Sequence, residues 1–380
     1  MNFSKLTTLL AQIAAENTTD PLSLATKLRA NGHTPELVAQ AMTQHRLRQR
    51  AIPKFGSEAN RMFFTENGVE QATRKVVADR RATRFSSAGV RSVIDLGCGV
   101  GADLIAFARA SLTAVGVERD ADTAEIAAAN LAALEIPHAQ IRQSDATDID
   151  MNEFDSVFCD PARRGGGRRL FDPDDFSPPW SFVTQLLKRQ YAAVKLGPGL
   201  DHALIPDNVE AEWVSCEGTV VELALWSPGF SQAARRAVVF GREKRAAELV
   251  GTGLEKAPTG AVGNYLYDPD GAIVRSHLIA ELSKELNAHL VDEHIAYLTN
   301  DTAINTPFAR RMTVEEVMPF SVKKLRAWLR AREIGTLEIK KRGIAVTPEQ
   351  LRPQLKLHGP NTATVVLTRL GTQPTAFICS

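Results

Sequence analysis

A strand that runs straight into a glycine-rich turn restricts the fold of this chain more than any other feature. Residues 93–101 read Val-Ile-Asp-Leu-Gly-Cys-Gly-Val-Gly, and a helical pattern follows them. Alternating glycines let the backbone approach a ligand without Cβ clashes, and the first turn of a helix offers unpaired N–H groups. The segment therefore predicts a strand, a ligand-binding turn and a helix within an α/β fold.

Two classes of nucleoside-containing ligand fit such a turn. Gly97, Gly99 and Ala102 satisfy the relaxed G-x-G-x-x-G/A fingerprint of dinucleotide-binding proteins. The carboxylate of Asp95 would repel a pyrophosphate, whereas it would attract a ligand ammonium group. This acid favours S-adenosylmethionine, and a nicotinamide dehydrogenase is kept as the more distant alternative.

Acidic residues also end the strands that follow. The second strand ends in Glu118, followed by Arg119, where a carboxylate can bind both ribose hydroxyls. Asp145, followed by Ala146, comes after a short third strand and is expected near the adenine. The fourth strand ends in the tetrad Asp-Pro-Ala-Arg at 160–163.

These four motifs, in this order and spacing, resemble motifs I to IV of class I S-adenosylmethionine-dependent methyltransferases. The resemblance covers about residues 70–240. It implies an α/β fold with a Rossmann-like parallel sheet, S-adenosylmethionine as cofactor and methyl transfer as the reaction. In that fold, the segment that carries Gln71 and Thr73 crosses the mouth of the cofactor site. The implied cofactor contacts are Asp95, Gly97, Gly99, Gly101, Glu118, Arg119, Asp145, Ala146 and Thr73.

The tetrad is the predicted catalytic loop, with Asp160, Pro161 and Arg163 as its active residues. The resemblance extends to amine-methylating enzymes, whose Asp/Asn-Pro-Pro-aromatic loop accepts hydrogen bonds from the target amino group through its carboxylate and its proline carbonyl. Arg163 replaces the aromatic residue that usually grips a flipped base. This replacement argues against methylation of an adenine or guanine amino group.

Two explanations of Arg163 stay open. Its guanidinium can itself stack on a base or bind a phosphate. The stack can instead come from an aromatic residue of the following segment, although such residues are more often part of the core. The aromatic candidates are Phe171, Phe176 and Trp180.

The tetrad is also similar to the Asp-Pro-[Ala/Pro]-Arg loop of RNA 5-methyluridine methyltransferases, which use a cysteine nucleophile after a Ser-Cys pair. This chain contains Ser215 and Cys216. Carbon methylation needs such a thiolate to attack C6 of the pyrimidine. The context argues against this role, because the pair lies in a predicted hairpin and Glu217-Gly218 replaces the usual Asn-Pro. We expect a buried structural thiol.

Clusters of positive charge point to a polyanionic substrate. Four arginines at 163–169 flank three glycines, on a loop at the carboxyl edge of the sheet, where substrates enter. Residues 310–342 hold ten Lys or Arg against four acids. Such clusters suit phosphodiesters, and a solvated surface is the alternative. Substrate contacts are expected from Arg164, Arg168, Arg169, Lys195, Lys340, Lys341 and Arg342.

Length and composition limit the remaining classes. A chain of 380 residues predicts two or three domains, and 44% hydrophobic residues with a net charge of +1 describe an ordinary globular protein. No apolar run is long enough for a membrane span or a signal peptide, so a cytoplasmic location is expected. The four cysteines form no C-x-x-C pair and the histidines show no ligand spacing, so we expect neither disulfides nor a metal.

The sequence predicts four regions: N-terminal helices over 1–68, the methyltransferase domain over 69–243, a linker over 244–260 and an α+β domain over 261–380. Two strands around Glu217-Gly218 predict an antiparallel hairpin that closes the parallel sheet. The α+β region resembles the THUMP-like domain of a bacterial methyltransferase group. The resemblance rests on segments 263–269, 337–343 and 351–357.

THUMP-type domains typically bind RNA, so the resemblance implies tRNA or rRNA as partner and a base as the methylated group. Two alternatives are kept. The first is the same chemistry on a protein or a small molecule. The second is a non-catalytic RNA-binding protein with a decayed cofactor site, against which the intact Asp95, Glu118 and Asp160 argue.

Overall fold

The computed structural model describes residues 2–16, 20–163 and 176–380, and the side chain of Arg163 is outside this description. Contacts divide the chain into two compact units. The first contains Met1–Glu210 and Ala224–Gln232, and the second contains Ala211–Leu223 and Ala233–Ser380.

Helices form the N-terminal part of the first unit, as the sequence predicts. Asn2, Asp20 and Thr34 cap the first three of them, and Pro21 and Pro35 occupy first-turn positions where a missing N–H costs nothing. Leu6, Leu9, Leu10 and Ile13 share the buried face of the first helix. The helices are α1 (Phe3–Ala15), α2 (Pro21–Ala30), α3 (Pro35–Phe55) and α4 (Glu66–Gln71).

A parallel sheet with covering helices follows. Its strands run in the order β7-β4-β1-β2-β3, and each neighbouring pair is parallel. The helices are α5 (Lys75–Ser87), α6 (Ala102–Arg109), α7 (Ala121–Ala133) and α8 (Trp180–Leu186). The strands of this sheet are β1 (Ser92–Leu96), β2 (Thr113–Glu118), β3 (Ala139–Gln143), β4 (Ser156–Cys159) and β7 (Ala192–Leu196). Between β4 and β7, β5 (Ala162–Arg163) and β6 (Phe176–Ser177) form a separate antiparallel pair.

The strand order reverses at β1, and this reversal positions the site. The chain passes from β1 to β2 on one side and later returns to β4 on the other. Leu96 of β1 is in register with Cys159 of β4, so the turn after β1 and the loop after β4 begin side by side. Crevices at such switch points, beyond the carboxyl ends of the strands, are where open α/β sheets bind ligands.

The predicted hairpin is present as β8 (Glu210–Cys216) and β9 (Thr219–Trp226). Glu217 and Gly218 both have positive φ, 51° and 79°, as a two-residue type I′ turn requires. Two further strands extend it in the order β11-β10-β8-β9: β10 (Arg235–Phe240) is parallel to β8, and β11 (Ala246–Gly251) is antiparallel to β10.

These strands differ from the predicted organisation at two points. β11 occupies part of the predicted 244–260 linker, because its backbone pairs with β10 although its composition is loop-like. Most of the hairpin also groups with the second unit, where the Ser215 hydroxyl donates to Asp270 over 2.9 Å. The region boundaries given by the sequence remain a proposal.

The C-terminal sheet has seven strands in the order β13-β14-β12-β15-β18-β17-β16. They are β12 (Tyr265–Pro269), β13 (His289–Asp292), β14 (Ile295–Asn300), β15 (Ala309–Pro319), β16 (Ile334–Lys341), β17 (Asn361–Leu370) and β18 (Gln373–Cys379). The helices are α9 (Gly271–Arg275), α10 (Ile279–Glu285), α11 (Val322–Ala331) and α12 (Pro348–Leu355).

One helix prediction in this unit is wrong. The sequence pattern predicts a single helix near residues 276–290, but the chain forms α9, α10 and then strand β13. His277 and Asn287 adopt left-handed φ values of 62° and 44°, which interrupt a right-handed helix at both points. The sequence pattern also predicts a helix near 321–332 and two late strands at 336–341 and 362–369, and these are confirmed as α11, β16 and β17.

Candidate active site

The carboxylate of Asp95 is the most unusual polar group of the crevice. The residue lies in β1 and is 1% exposed, and neither carboxylate oxygen has a hydrogen-bond partner among the described residues. Burial raises its pKa well above the usual range, and the charges of Asp103 and Asp160 raise it further. Because buried carboxylates are normally paired, this orphaned group points to a ligand that supplies donors or positive charge.

The turn after β1 provides space beside this carboxylate. The amides of Gly97 and Cys98 donate to the Val117 carbonyl over 2.9 and 3.0 Å, which fixes the turn on β2. A Cβ at Gly97 would lie 2.9 Å from the Asp160 carbonyl oxygen, so only glycine fits between the two loops. Gly99 has a φ of +55°, and a Cβ there would meet no described atom within 4 Å. The backbone above Gly99 is therefore open to a ligand.

Glu118 is oriented beside this turn by two backbone amides. Its Oε2 accepts from Gly99 N over 3.1 Å and its Oε1 accepts from Asp120 N over 2.9 Å. Gly101, the predicted cofactor residue that follows, is the N-cap of α6. The glycines and the acid of the second strand are thus brought together, as the sequence predicts.

The third predicted acid is nearer the surface. The Asp145 carboxylate caps the short turn that begins at Ala146 by accepting from Thr147 N, and this bond lowers its pKa below the usual value. Arg119 Nη1 lies 3.7 Å from Asp145 Oδ2, with the guanidinium largely exposed. These positions are consistent with a half-open edge of the pocket, and their contact with the cofactor remains a prediction.

Asp160 begins the loop after β4 and forms an ion pair that the sequence did not predict. Lys195 Nζ, at the end of β7, lies 2.6 Å from Asp160 Oδ2 and also donates to the Gln71 carbonyl over 3.2 Å. Asp160 Oδ1 has no partner within the described ranges, and the side chain is 32% exposed. Burial raises the pKa of Asp160, whereas the charge of Lys195 opposes that shift. Pro161 is buried.

A buried network lies behind these carboxylates and was missed by the sequence reasoning. Thr73 donates to Asp103 Oδ2 over 2.6 Å, and Arg81, 2% exposed, forms an ion pair with the same carboxylate. The guanidinium of Arg81 also lies 4.6 Å from the centre of the Phe158 ring. A sequence signal exists, because Arg81 shares the buried face of α5 with Val77 and Ala78. Thr73 is therefore already engaged within the protein, and its predicted cofactor contact remains a prediction.

The predicted substrate residues are distributed unevenly. Arg164, Arg168, Arg169 and Phe171 lie outside the residues that the structure describes. Phe176 is buried and its ring centre lies 5.9 Å from that of Trp180, so these two aromatics pack on each other. Cys216 is buried at the end of β8, the placement expected of a structural thiol.

The basic triplet consists of Lys340 and Lys341, at the end of β16, and Arg342, which follows the strand. Two of the three side chains bind an acid of the C-terminal sheet. Lys340 Nζ lies 2.7 Å from Asp268 Oδ2, and Arg342 Nη2 lies 2.9 Å from the other oxygen of the same carboxylate. Arg342 also lies 4.8 Å from the centre of the Tyr297 ring. Lys341 is exposed. Two of the three cations thus have a structural explanation, and RNA contact by the triplet remains a prediction.

Comparison with known proteins gives the class of this site. A family model described as a methyltransferase domain matches residues 93–163, and one described as THUMP domain-like matches residues 309–380. A domain of unknown function matches residues 7–51. A protein named "Uncharacterized S-adenosylmethionine-dependent methyltransferase", from two strains of Mycobacterium tuberculosis, is 32% identical over 349 residues, which is 88% of this chain and 94% of the relative.

The fold is similar to that of a solved structure. A crystal structure from Porphyromonas gingivalis W83, described as a candidate methyltransferase, is similar with a TM-score of 0.79 and 20% identity, over 100% of this chain and 98% of that one. The chain belongs to the S-adenosylmethionine-dependent methyltransferases. It is an enzyme with S-adenosylmethionine as cofactor and a C-terminal THUMP-like domain.

The residues present fit this cofactor. The orphaned Asp95 carboxylate can accept hydrogen bonds from the methionine ammonium group or from a bridging water. The open backbone above Gly99 leaves room for the ligand, and Glu118, held beside the same turn, offers a carboxylate that can accept hydrogen bonds from ribose hydroxyls. The Asp95 carboxylate also explains why this turn does not suit a dinucleotide cofactor, because it would repel the pyrophosphate.

Two features are absent from the part of the chain that the structure describes. No cluster of three or more His, Cys, Asp or Glu side chains is arranged to hold a metal ion across residues 2–16, 20–163 and 176–380. In the same ranges, no helix is both long enough and apolar enough to cross a membrane.

Proposed function

We propose that this enzyme methylates a base in structured RNA, either tRNA or rRNA. The match of residues 309–380 to a THUMP domain-like family, in one chain with the methyltransferase domain, is the observation that carries the proposal. Such domains typically hold RNA. The arginines at 163–169 and the ion-paired Asp160 would then act on a nucleotide at the carboxyl edge of the sheet.

Asp160 would act as the acceptor-orienting group. Because Lys195 occupies Oδ2, Oδ1 is left to accept a hydrogen bond from the target group. For an amino group, a second bond to the Pro161 carbonyl would hold both hydrogens and leave the nitrogen lone pair directed at the methyl donor. When bound, S-adenosylmethionine supplies a methyl group on a sulfonium.

The remaining task of the protein is alignment and proton removal. Methyl transfer is an in-line displacement, so donor and acceptor must be held in a line and kept from water. An attacking amine loses a proton after transfer, and a carboxylate with a raised pKa, such as Asp160, is suited to accept it. Carbon methylation through Cys216 is the second candidate, favoured only by the Ser215-Cys216 pair.

Transfer of a tritiated methyl group tests the proposal directly. Total RNA from a strain that lacks the gene is incubated with the full-length enzyme and labelled S-adenosylmethionine, with protein and metabolite fractions in parallel. Asp160→Asn is the test variant, and Asp148→Asn, an exposed acid with the same charge change, is the matched control. We expect label in RNA that is lost only with Asp160→Asn.

The fractions separate the alternatives. Label confined to protein or metabolites would contradict the RNA assignment and leave the methyltransferase class intact. Nucleoside analysis of labelled RNA would identify the base, and label at C5 of a pyrimidine that is lost in Cys216→Ser would replace the Asp160 mechanism by the cysteine one.

A further inference from the structure

Two lysines from distant parts of the chain bind the same short stretch of backbone beside Asp160. Lys195 Nζ donates to the Gln71 carbonyl over 3.2 Å and bonds to Asp160. Lys54 Nζ, from the last turn of α3, donates to the carbonyls of Glu70 and Ala72 over 2.6 and 2.7 Å. Because the three carbonyls belong to consecutive residues, the two ammonium groups lie close to each other and to the acceptor side of the crevice.

A third cation, Arg74, completes this group. Arg74 is half-buried and is the N-cap residue of α5, but its side chain does not cap the helix. No ion pair or hydrogen bond of its guanidinium is found within residues 2–16, 20–163 and 176–380. The pKa of Lys54 is lowered to about 8 by burial first and then by the positive charges of Arg74 and Lys195. The charges of Arg74 and Lys195 therefore both oppose the protonated form of Lys54.

The acids nearby form ion pairs with Lys195 and Arg50, and none pairs with Arg74 within residues 2–16, 20–163 and 176–380. Asp160 is ion-paired with Lys195, and the charge of Lys195 also acts on the buried Asp95 carboxylate. Glu70, the other acid that acts on Lys54, is largely exposed and forms an ion pair with Arg50 over 3.0 Å. A half-buried guanidinium without an ion pair, beside two lysines, can gain free energy by binding an anion.

We propose that Lys54, Arg74 and Lys195 form a subsite for a phosphate group of the substrate, next to Asp160. The proposal rests on the proposed function for its preferred source, a phosphodiester of RNA close to the methylated nucleotide. The phosphate of a free nucleotide has the same chemistry and is the other source. The Arg74 guanidinium can bind two phosphate oxygens at once, while the two lysines contribute as point charges.

In this arrangement Lys195 has two roles, and the N-terminal helices contribute a residue to the substrate site. Lys195 binds Asp160 Oδ2 and also faces the phosphate. It therefore connects the carboxylate that orients the methyl acceptor with the phosphate of the same substrate. Lys54 brings the end of α3 to the site, so the N-terminal helical region becomes part of the acceptor pocket.

The experiment measures the salt dependence of RNA binding. The full-length protein is titrated with a fluorescein-labelled mixed-sequence 20-nucleotide RNA by anisotropy at several salt concentrations. Arg74→Met is the test variant, Arg74→Lys is the conservative rescue, and Lys188→Met, an exposed lysine of the same unit, is the charge-matched control. One lost phosphate contact should lower the slope of log Kd against log salt by about 0.7 to 0.9.

We expect Arg74→Met to weaken RNA binding about tenfold with this fall in slope, Arg74→Lys to restore part of it, and Lys188→Met to match the wild type. The affinity for S-adenosylmethionine should not change in any variant, which shows that the fold is intact. An Arg74→Met protein that binds RNA with the wild-type slope would overturn the subsite and leave the RNA proposal standing.

A second arm identifies the source of the phosphate. The Tm is measured with inorganic phosphate or adenosine 5′-monophosphate against chloride at constant ionic strength. If the wild type fails to bind RNA but is stabilised by either phosphate, and Arg74→Met is not, the subsite is supported for a small substrate and the RNA proposal is contradicted. No response of the wild type to RNA or to either phosphate overturns the subsite.

Discussion

The cofactor side and the acceptor side of the crevice are built in different ways. On the cofactor side, Asp95 lies at the end of β1, Gly97 and Gly99 lie in the turn that follows, and Glu118 accepts hydrogen bonds from backbone amides. On the acceptor side, Asp160 is held by Lys195, 35 residues further along the chain. Lys54, from α3, and Lys195 both donate to backbone carbonyls of the stretch Glu70–Ala72.

This difference separates what the enzyme must share with its family from what makes it selective. A site made of one turn and its hydrogen bonds to the next strand keeps its shape whenever the strand–turn–helix unit folds. A site made of side chains from several elements changes with any of them. Cofactor binding should therefore resist changes on the acceptor side, and catalysis should depend on them.

The largest effect is expected from Asp160→Ala. Loss of the group that orients the acceptor should lower methyl transfer about a thousandfold, within the range typical of general acid–base residues. The affinity for S-adenosylmethionine should stay within about twofold of the wild type. Single-turnover transfer and calorimetric titration measure the two quantities, and a large loss of cofactor affinity would break the separation of the two sides.

Arg81→Met tests the network that lies behind both sides. Removing this cation leaves Asp103 buried without its ion pair, which should lower the free energy of unfolding by about 3 to 5 kcal/mol. Urea unfolding measures the change. The double variant Arg81→Met/Asp103→Leu should recover much of the stability, because no uncompensated buried charge remains. Failure of that rescue would show that Arg81 acts through contacts other than the carboxylate.

Asp95→Asn should stabilise the enzyme while it abolishes cofactor binding. The folded-state pKa of Asp95 is raised, so the wild type loses stability as the pH rises from the unfolded pKa of about 4 through the folded pKa. The neutral variant avoids this loss and should gain about 1 to 3 kcal/mol at pH 8, but almost nothing near pH 4. Urea midpoints at the two pH values check it, and an equal gain at both would contradict a raised pKa of the unpaired Asp95 carboxyl.

The smallest effect concerns the pH profile of Lys195→Met. The charge of Lys195 lowers the pKa of Asp160, so its removal raises that pKa further. The acidic limb of the pH profile of methyl transfer should move to higher pH, with a rate near neutral pH about tenfold lower. Lys195→Arg should restore the limb. An unchanged limb with a lower rate would assign Lys195 to substrate contact alone.

The cofactor side was predictable from the sequence because its geometry is local. Strand-ending acids and alternating glycines dictate a turn that few other sequences fit, and Gly97 is required by its approach to the Asp160 carbonyl. The hairpin was equally readable, since Glu217-Gly218 supplies the two positive φ values of its turn. Pro21 and Pro35 likewise marked the helix starts.

The acceptor side was only partly predictable because its contacts are long-range. Lys195 was expected near substrate, but its ion pair with Asp160 depends on the register of β7 beside β4. Nothing local to Lys54 shows that its ammonium binds the end of α4. For the same reason, the sequence could not show that Asp268, in another strand, binds both Lys340 and Arg342.

Calorimetric titration of S-adenosylmethionine into the wild type, Asp95→Asn and Asp160→Asn tests the separation of the two sides most directly. We predict that Asp95→Asn loses measurable binding, while Asp160→Asn binds as the wild type does. In buffers of different ionisation enthalpy, the wild type should also release a proton on binding, because the cofactor favours the ionised Asp95 carboxylate. Wild-type affinity in Asp95→Asn, or loss of binding in Asp160→Asn, would contradict the account.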